Sequence, residues 1–226
     1  PEKEKYTVPS TPLAEARSGS LPDPYPLADK LKYFITIGEP SNPLYEKYIK
    51  QLREWCDQTH APECLHVLLR HLEKKTLYAD LKSNPSIKVH VALDENTKKL
   101  DGSDVDKIVC FSIEYPDDEN RLWMRQDVRE SWEKHFTVKF YGTPGLCYVT
   151  GQTLGIMEKH PGVSGTSRLI SSKDDAFPFR YKGRFVENGS AATVSSLASF
   201  KAHKALDWLL KHQGFQRYGM SFVGWN

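Results

Sequence analysis

No apolar run in this chain of 226 residues approaches the roughly 18–20 residues that span a bilayer, so no membrane helix is expected. No basic–apolar–small leader precedes a cleavage site, which argues against secretion. The chain opens on Pro1 rather than Met, as a processed or truncated chain does. Cysteine is scarce. Cys56, Cys64, Cys110 and Cys147 are the full set. None forms a C-x-x-C pair, and no two bracket a His pair at zinc-finger spacing. A disulfide framework is therefore not expected, and buried thiols in a reduced, cytoplasmic compartment fit better. Cys147, inside the strand-like Leu146-Cys147-Tyr148-Val149, suits that reading best.

Catalytic signatures are missing as well. There is no Walker loop, no G-x-G-x-x-G, no H-E-x-x-H and no G-x-S-x-G. Gly162-Val163-Ser164-Gly165-Thr166-Ser167 is glycine-rich but lacks the phosphate-loop lysine. His60, His66 and His71 cluster in sequence, yet His66 and His71 stand five apart, not the three or four that align ligands on a helix face. Asp117-Asp118-Glu119 reads as a turn. No catalytic constellation, metal site or cofactor is expected.

What is present is a foldable composition: 39% apolar, 12% aromatic and 27% charged residues, enough for one sizeable domain or two small ones. The net charge is only +2, but it is unevenly spread. Asp94 to Glu133 holds twelve acids against six Lys and Arg. His160 to Asn226 holds nine Lys and Arg against four acids, with His160, His203 and His212 added. A basic last third raises local phosphate concentration and suits nucleic acid, although a solvated face is the plainer alternative.

Residues 1–29 carry Pro9, Pro12, Pro22, Pro24 and Pro26, and read as an extended tail or strap. Residues 30–226 form the folded module. Leu31 to Ile37 is expected to be a strand. Ser41-Asn42-Pro43 opens a helix along which Leu44, Tyr45, Tyr48, Ile49, Leu52 and Trp55 recur at helical spacing. Pro62 opens a second helix, and Thr76 to Leu81 a third. Ile87, Val89 and Val91 alternate as in a strand, and Ile108 to Ile113 is another. Asp127 to Phe136 is helical. Leu146–Val149 and Leu154–Met157 form a hairpin around Thr150-Gly151-Gln152. A helix starts at Ser195 or Ser196 and ends at Gly214, and Phe222 to Trp225 is a closing strand. The expected fold is α+β: mixed helices and short antiparallel strands around one core, behind the Pro-rich tail.

Cations gather in the last third among aromatics. Arg168, Lys173, Arg180, Lys182 and Arg184 alternate with Phe177, Phe179, Tyr181 and Phe185, with Ser171 and Ser172 as neutral donors. In extended chain, Arg180, Lys182 and Arg184 share one side, where they can track phosphates or reach guanine. Asn188 carries the amide that reads adenine. On the following helix, Lys201, Lys204 and Lys211 fall within about 80° of arc. Asp207 sits in that stripe and weakens its field. The expectation is that the cations from Arg168 to Lys211 form one outward surface for a polyanion.

The Leu146-to-Gly151 hairpin, His160-Pro161, Leu169-Ile170-Ser171-Ser172, Asp175-Ala176-Phe177 and the Lys201-to-Leu209 helix follow in an order that resembles a known family. So do Pro24-to-Tyr33 and the Tyr45-to-Trp55 helix. The resemblance is to the amino-terminal half of the large subunit of the type I-C CRISPR surveillance complex, Cascade, and runs from Pro24 to Trp225. It implies a non-enzymatic subunit that inspects duplex DNA for the protospacer-adjacent motif, helps open the duplex for the guide RNA, and offers a platform to the helicase–nuclease. Its implied partners are double-stranded target DNA, the guide-bearing Cascade subunits including the one holding the guide 5′ end, and that helicase–nuclease. Against the family's pattern, the chain begins after the usual first strands and stops before the carboxy-terminal helical region. A docking scaffold, its acidic stretch 94–133 facing basic partners, is the alternative. A nuclease is the third.

Overall fold

A computed structural model describes residues 8–11, 14, 20–39, 41–94, 96–115, 119–139, 143–157, 160–163, 169–170 and 192–224. They form an α+β fold in two compact units, residues 1–135 and 136–226.

Unit 1 is organised by helix α1 (Pro43–Cys56). Pro43 fits the first helical position because its missing N–H would have no partner there. Asn42 caps the helix: its Oδ1 accepts the Leu44 N–H at 3.1 Å. Its Nδ2 donates backwards to the Lys32 and Ile35 carbonyls at 2.6 and 3.0 Å. One side chain thus ends one element and starts the next. α1 buries Tyr45, Tyr48, Ile49, Leu52 and Trp55, and α2 (Glu63–Glu73) buries Cys64, Leu65, Leu68, Leu69 and Leu72. The Tyr45 hydroxyl donates to the Leu72 carbonyl at 2.7 Å. The extended stretch before β1 (Ala28–Lys30) lies along α1, where Tyr48 donates to Pro26 O and Lys47 to Leu21 O.

The strand expected over Leu31–Ile37 forms earlier. β1 pairs antiparallel with β4 (Ile108–Cys110), and Leu31–Tyr33 is a 3-10 turn. Leu31, Tyr33, Phe34 and Ile35 are all buried, a run that a one-sided strand cannot satisfy. Nor do residues 87–91 join a strand. The His90 N–H donates to Asp104 Oδ2 at 2.6 Å, and the Val91 carbonyl accepts from Tyr78 Oη at 3.0 Å, so side chains replace ladder partners. Pairing begins only at β2 (Ala92–Leu93) with β3 (Leu100–Asp101). Gly102, at φ +129, passes so close to the His90 carbonyl that a Cβ there would sit 2.2 Å from its oxygen. Helix α3 (Leu77–Ser83) buries no residue fully but lays Leu77, Tyr78 and Leu81 on the Leu31–Ile35–Val91 cluster.

Helix α4 (Gln126–Lys139) brings Trp132 edge-on to Trp55, with ring centroids 4.8 Å apart. The Trp55 indole donates to Ser131 Oγ at 3.0 Å. In unit 2, Phe136 packs against Phe200 at 5.7 Å. Strands β5 (Pro144–Leu146) and β6 (Thr153–Gly155) pair ahead of the expected positions, so Tyr148 and Val149 are exposed turn residues while Cys147 is fully buried. Helix α5 (Ser196–His212) and the hairpin of β7 (Phe215–Arg217) and β8 (Met220–Phe222) complete the unit. The closing strand therefore ends at Phe222. Among the described residues, no helix is long and apolar enough to cross a membrane.

Candidate nucleic-acid interface

α5 is held from its start. Ser195 Oγ accepts the Ala198 N–H at 3.3 Å, a standard side-chain cap. The Ser195 N–H donates to Cys147 Sγ at 3.3 Å, tying the helix to the β5–β6 turn. Burial pushes the Cys147 thiol up, but hydrogen bonds from Ser195 and Thr150 outweigh it and bring the thiol down to about 6. The buried face of α5 is polar: Ser196, Ser199 and His203. His160 Nδ1 meets Ser199 Oγ at 2.8 Å, and His203 Nδ1 donates to the Ser199 carbonyl at 2.6 Å. The two imidazoles stack with centroids 6.3 Å apart.

That anchoring fixes which face points outward. At 100° per residue, Lys201, Lys204 and Lys211 centre about 120° from the buried face. Lys201 is exposed and has no ion pair among the described residues. Lys204 lies over the Phe200 ring, with Nζ 5.7 Å from its centroid. Lys211 is tied to Asp207 at 2.7 Å, so much of its charge is spent locally. Trp208 falls between Lys201 and Lys204 on the same arc and is 52% exposed. The His212 ring stacks on it at 4.5 Å. The adjoining hairpin adds exposed Phe215, Tyr218 and Met220, with the Arg217 guanidinium 5.0 Å from the Tyr218 ring. Sequence reading assigned the lysines but missed Trp208, Arg217 and Tyr218. The helical angle of Trp208 was the signal available for the first of these.

Arg168, Ser171, Ser172, Lys173, Arg180, Lys182, Arg184 and Asn188 lie outside the described residues. The structure thus brings together Lys201, Lys204 and Lys211 of the expected set. Such a surface can place ammonium groups on phosphates and aromatic faces on bases.

Part of the acidic middle is paired within the chain. Asp104 meets Lys107 at 2.7 Å, Asp106 meets Lys32 at 2.8 Å, and Asp127 meets Arg125 at 2.8 Å. The Lys107 hydrogen bond, with the His90 N–H, lowers the Asp104 carboxyl to about 2. Glu119, held by Arg121, likewise falls to about 2. Among the described residues, no group of three or more His, Cys, Asp or Glu is placed to hold a metal ion.

A family model described as CRISPR-associated protein (Cas_Csd1) matches residues 1–226. No match was found among curated proteins. Because that family model spans the whole sequence, the chain belongs to the CRISPR-associated Csd1 family, the large subunits of type I-C Cascade.

Proposed function

We propose that this chain is a non-enzymatic module that binds duplex DNA, reads the protospacer-adjacent motif and assists opening of the duplex for the guide RNA. The observation that carries the reading is the outward face of α5, where Lys201 and Lys204 flank an exposed Trp208 on a helix whose orientation is set by buried hydrogen bonds to His160 and Cys147. In such a complex, base pairing reads the long sequence, and protein reads a few base pairs and the backbone. Ammonium groups supply the backbone contacts. The neighbours expected by this reading are the guide-bearing Cascade subunits, including the one that holds the guide 5′ end, and the helicase–nuclease.

Titration of the chain with duplexes carrying matched or scrambled motifs, at several salt concentrations, tests it. Each neutralised phosphate contributes about −0.9 to the slope of log K against log salt. Replacing Lys201 and Lys204 by Ala should therefore flatten the slope by up to about two units. An unchanged slope removes this face from the interface. The docking-scaffold reading is favoured by the exposed Phe215, Tyr218 and Met220 of the β7–β8 hairpin. Capture of other Cascade subunits by a chain that binds no duplex at low salt would establish it instead.

A further inference from the structure

Unit 1 contains a cavity of about 600 Å³. Four segments meet there, the stretch around Leu21 among them. The 3-10 turn contributes Lys32, the β2–β3 turn contributes Lys98 and Lys99, and the start of α1 contributes Leu44. Leu21 and Leu100 extend the apolar wall. Lys32 is already paired with Asp106 at 2.8 Å, so the available charge sits mainly on Lys98 and Lys99, which have no ion pair among the described residues.

The turn that carries them is built with care. The Asp94 carboxylate accepts the N–H groups of Asn96 and Thr97 at 2.8 and 3.0 Å, and the Lys98 N–H donates to the Asp94 carbonyl at 2.8 Å. Lys98 is held at φ +53, a left-handed backbone that Gly or Asn adopts at lower cost. The N-terminal end of α1 adds a partial positive charge to the same rim.

Cations beside an apolar wall in a concave site select an amphipathic anion. A duplex presents its backbone on a convex rod and cannot enter a pocket of this size. An unstacked nucleotide can, with phosphate on the ammonium groups and base on the wall. We propose that this cavity takes one nucleotide of a single-stranded nucleic acid, its phosphate on Lys98 and Lys99 and its base against Leu44 and Leu100. The proposal extends the DNA-binding reading from duplex to single strand and rests on it, but it uses none of the α5 residues.

The test is fluorescence anisotropy of the full chain with labelled dT12 and U12, comparing wild type with Lys98→Glu/Lys99→Glu and Lys98→Gln/Lys99→Gln. The Glu pair should weaken binding at least about tenfold, and the Gln pair should lower the salt slope by up to about 1.4, at about 0.7 per single-strand phosphate. Loss for dT12 alone assigns the strand as DNA, loss for U12 alone assigns it as RNA, and loss for both supports the shared nucleotide chemistry. The α5 lysines and duplex binding should be unaffected, so a chain that fails the duplex titration but keeps Lys98-dependent dT12 binding sinks only the earlier reading. Wild-type affinity for both oligonucleotides in the Gln pair, with an unchanged melting curve, overturns the cavity proposal.

Discussion

His135 should make unit 1 acid-labile well before its carboxylates titrate. Its ring is buried beside Trp55 and Trp132, with centroids 6.3 and 5.4 Å away, and its Nδ1 has no hydrogen-bond partner among the described residues. Burial, with His60 nearby, pushes the imidazole down to about 4 from an ordinary 6.5. The folded state therefore prefers neutral His135. Its contribution is complete above the unfolded value and is lost as pH falls from 6.5 towards 4. Between pH 7.5 and 4.5 the loss comes to roughly 2.5 kcal/mol at 1.36 kcal/mol per unit. That corresponds to a fall of roughly 5–10 °C in melting temperature for a unit of this size. The lowered carboxyls, Asp104 and Glu119 among them, act in the same direction but only below about pH 4.5, where their unfolded forms begin to protonate. His135→Phe keeps a flat ring against Trp55 and removes the titration. Tryptophan-fluorescence melts at pH 7.5, 6.0 and 4.5 should show the variant losing much less than wild type. Equal acid shifts in the two proteins would refute the assignment.

Two further outcomes follow from local geometry. Asn42→Ala removes a helix cap and leaves the Lys32 and Ile35 carbonyls without their amide donor, so urea unfolding should report a loss of about 2–3 kcal/mol; under 1 kcal/mol would mean water replaces the amide freely. Tyr218 and Gly219, at φ +53 and +73, form the two-residue turn of the last hairpin. Tyr218→Asn suits that turn better by about 1 kcal/mol, and amide exchange in β7 and β8 should slow about fivefold, whereas faster exchange would show that the Arg217–Tyr218 contact holds the turn.

Helices were readable wherever cap and period agreed. Asn42-Pro43 marks a start that the Tyr45–Trp55 spacing then confirms, and α1 runs over Pro43–Cys56. Strands were less readable because tertiary partners override alternation. Val89 and Val91 alternate, but Asp104 and Tyr78 take the backbone groups that a strand would have paired. Leu31 to Ile37 looks like a strand because it is mostly apolar, but Tyr33, Phe34 and Ile35 are buried one after another instead of alternating. The division into two units falls within α4, where composition does not change. On α5, residue type alone would choose Leu197, Leu206 and Leu210 for the core, yet these are half-buried and full burial falls on Ser196, Ser199 and His203. The lysine stripe was visible from the 100° rule, and the same rule would have placed Trp208 within it.

The seating of α5 on serine and histidine has a mechanical consequence. Greasy contacts tolerate a helix rolling about its axis by tens of degrees, since dispersion and burial vary slowly with angle. Hydrogen bonds weaken steeply once misaligned. A helix pinned at Ser199 by His160 and at Ser195 by Cys147 therefore has a preferred azimuth, and one side-chain register out of several keeps those bonds. Lys201, Lys204 and Trp208 inherit that azimuth, so the cationic edge is aimed by groups it never touches.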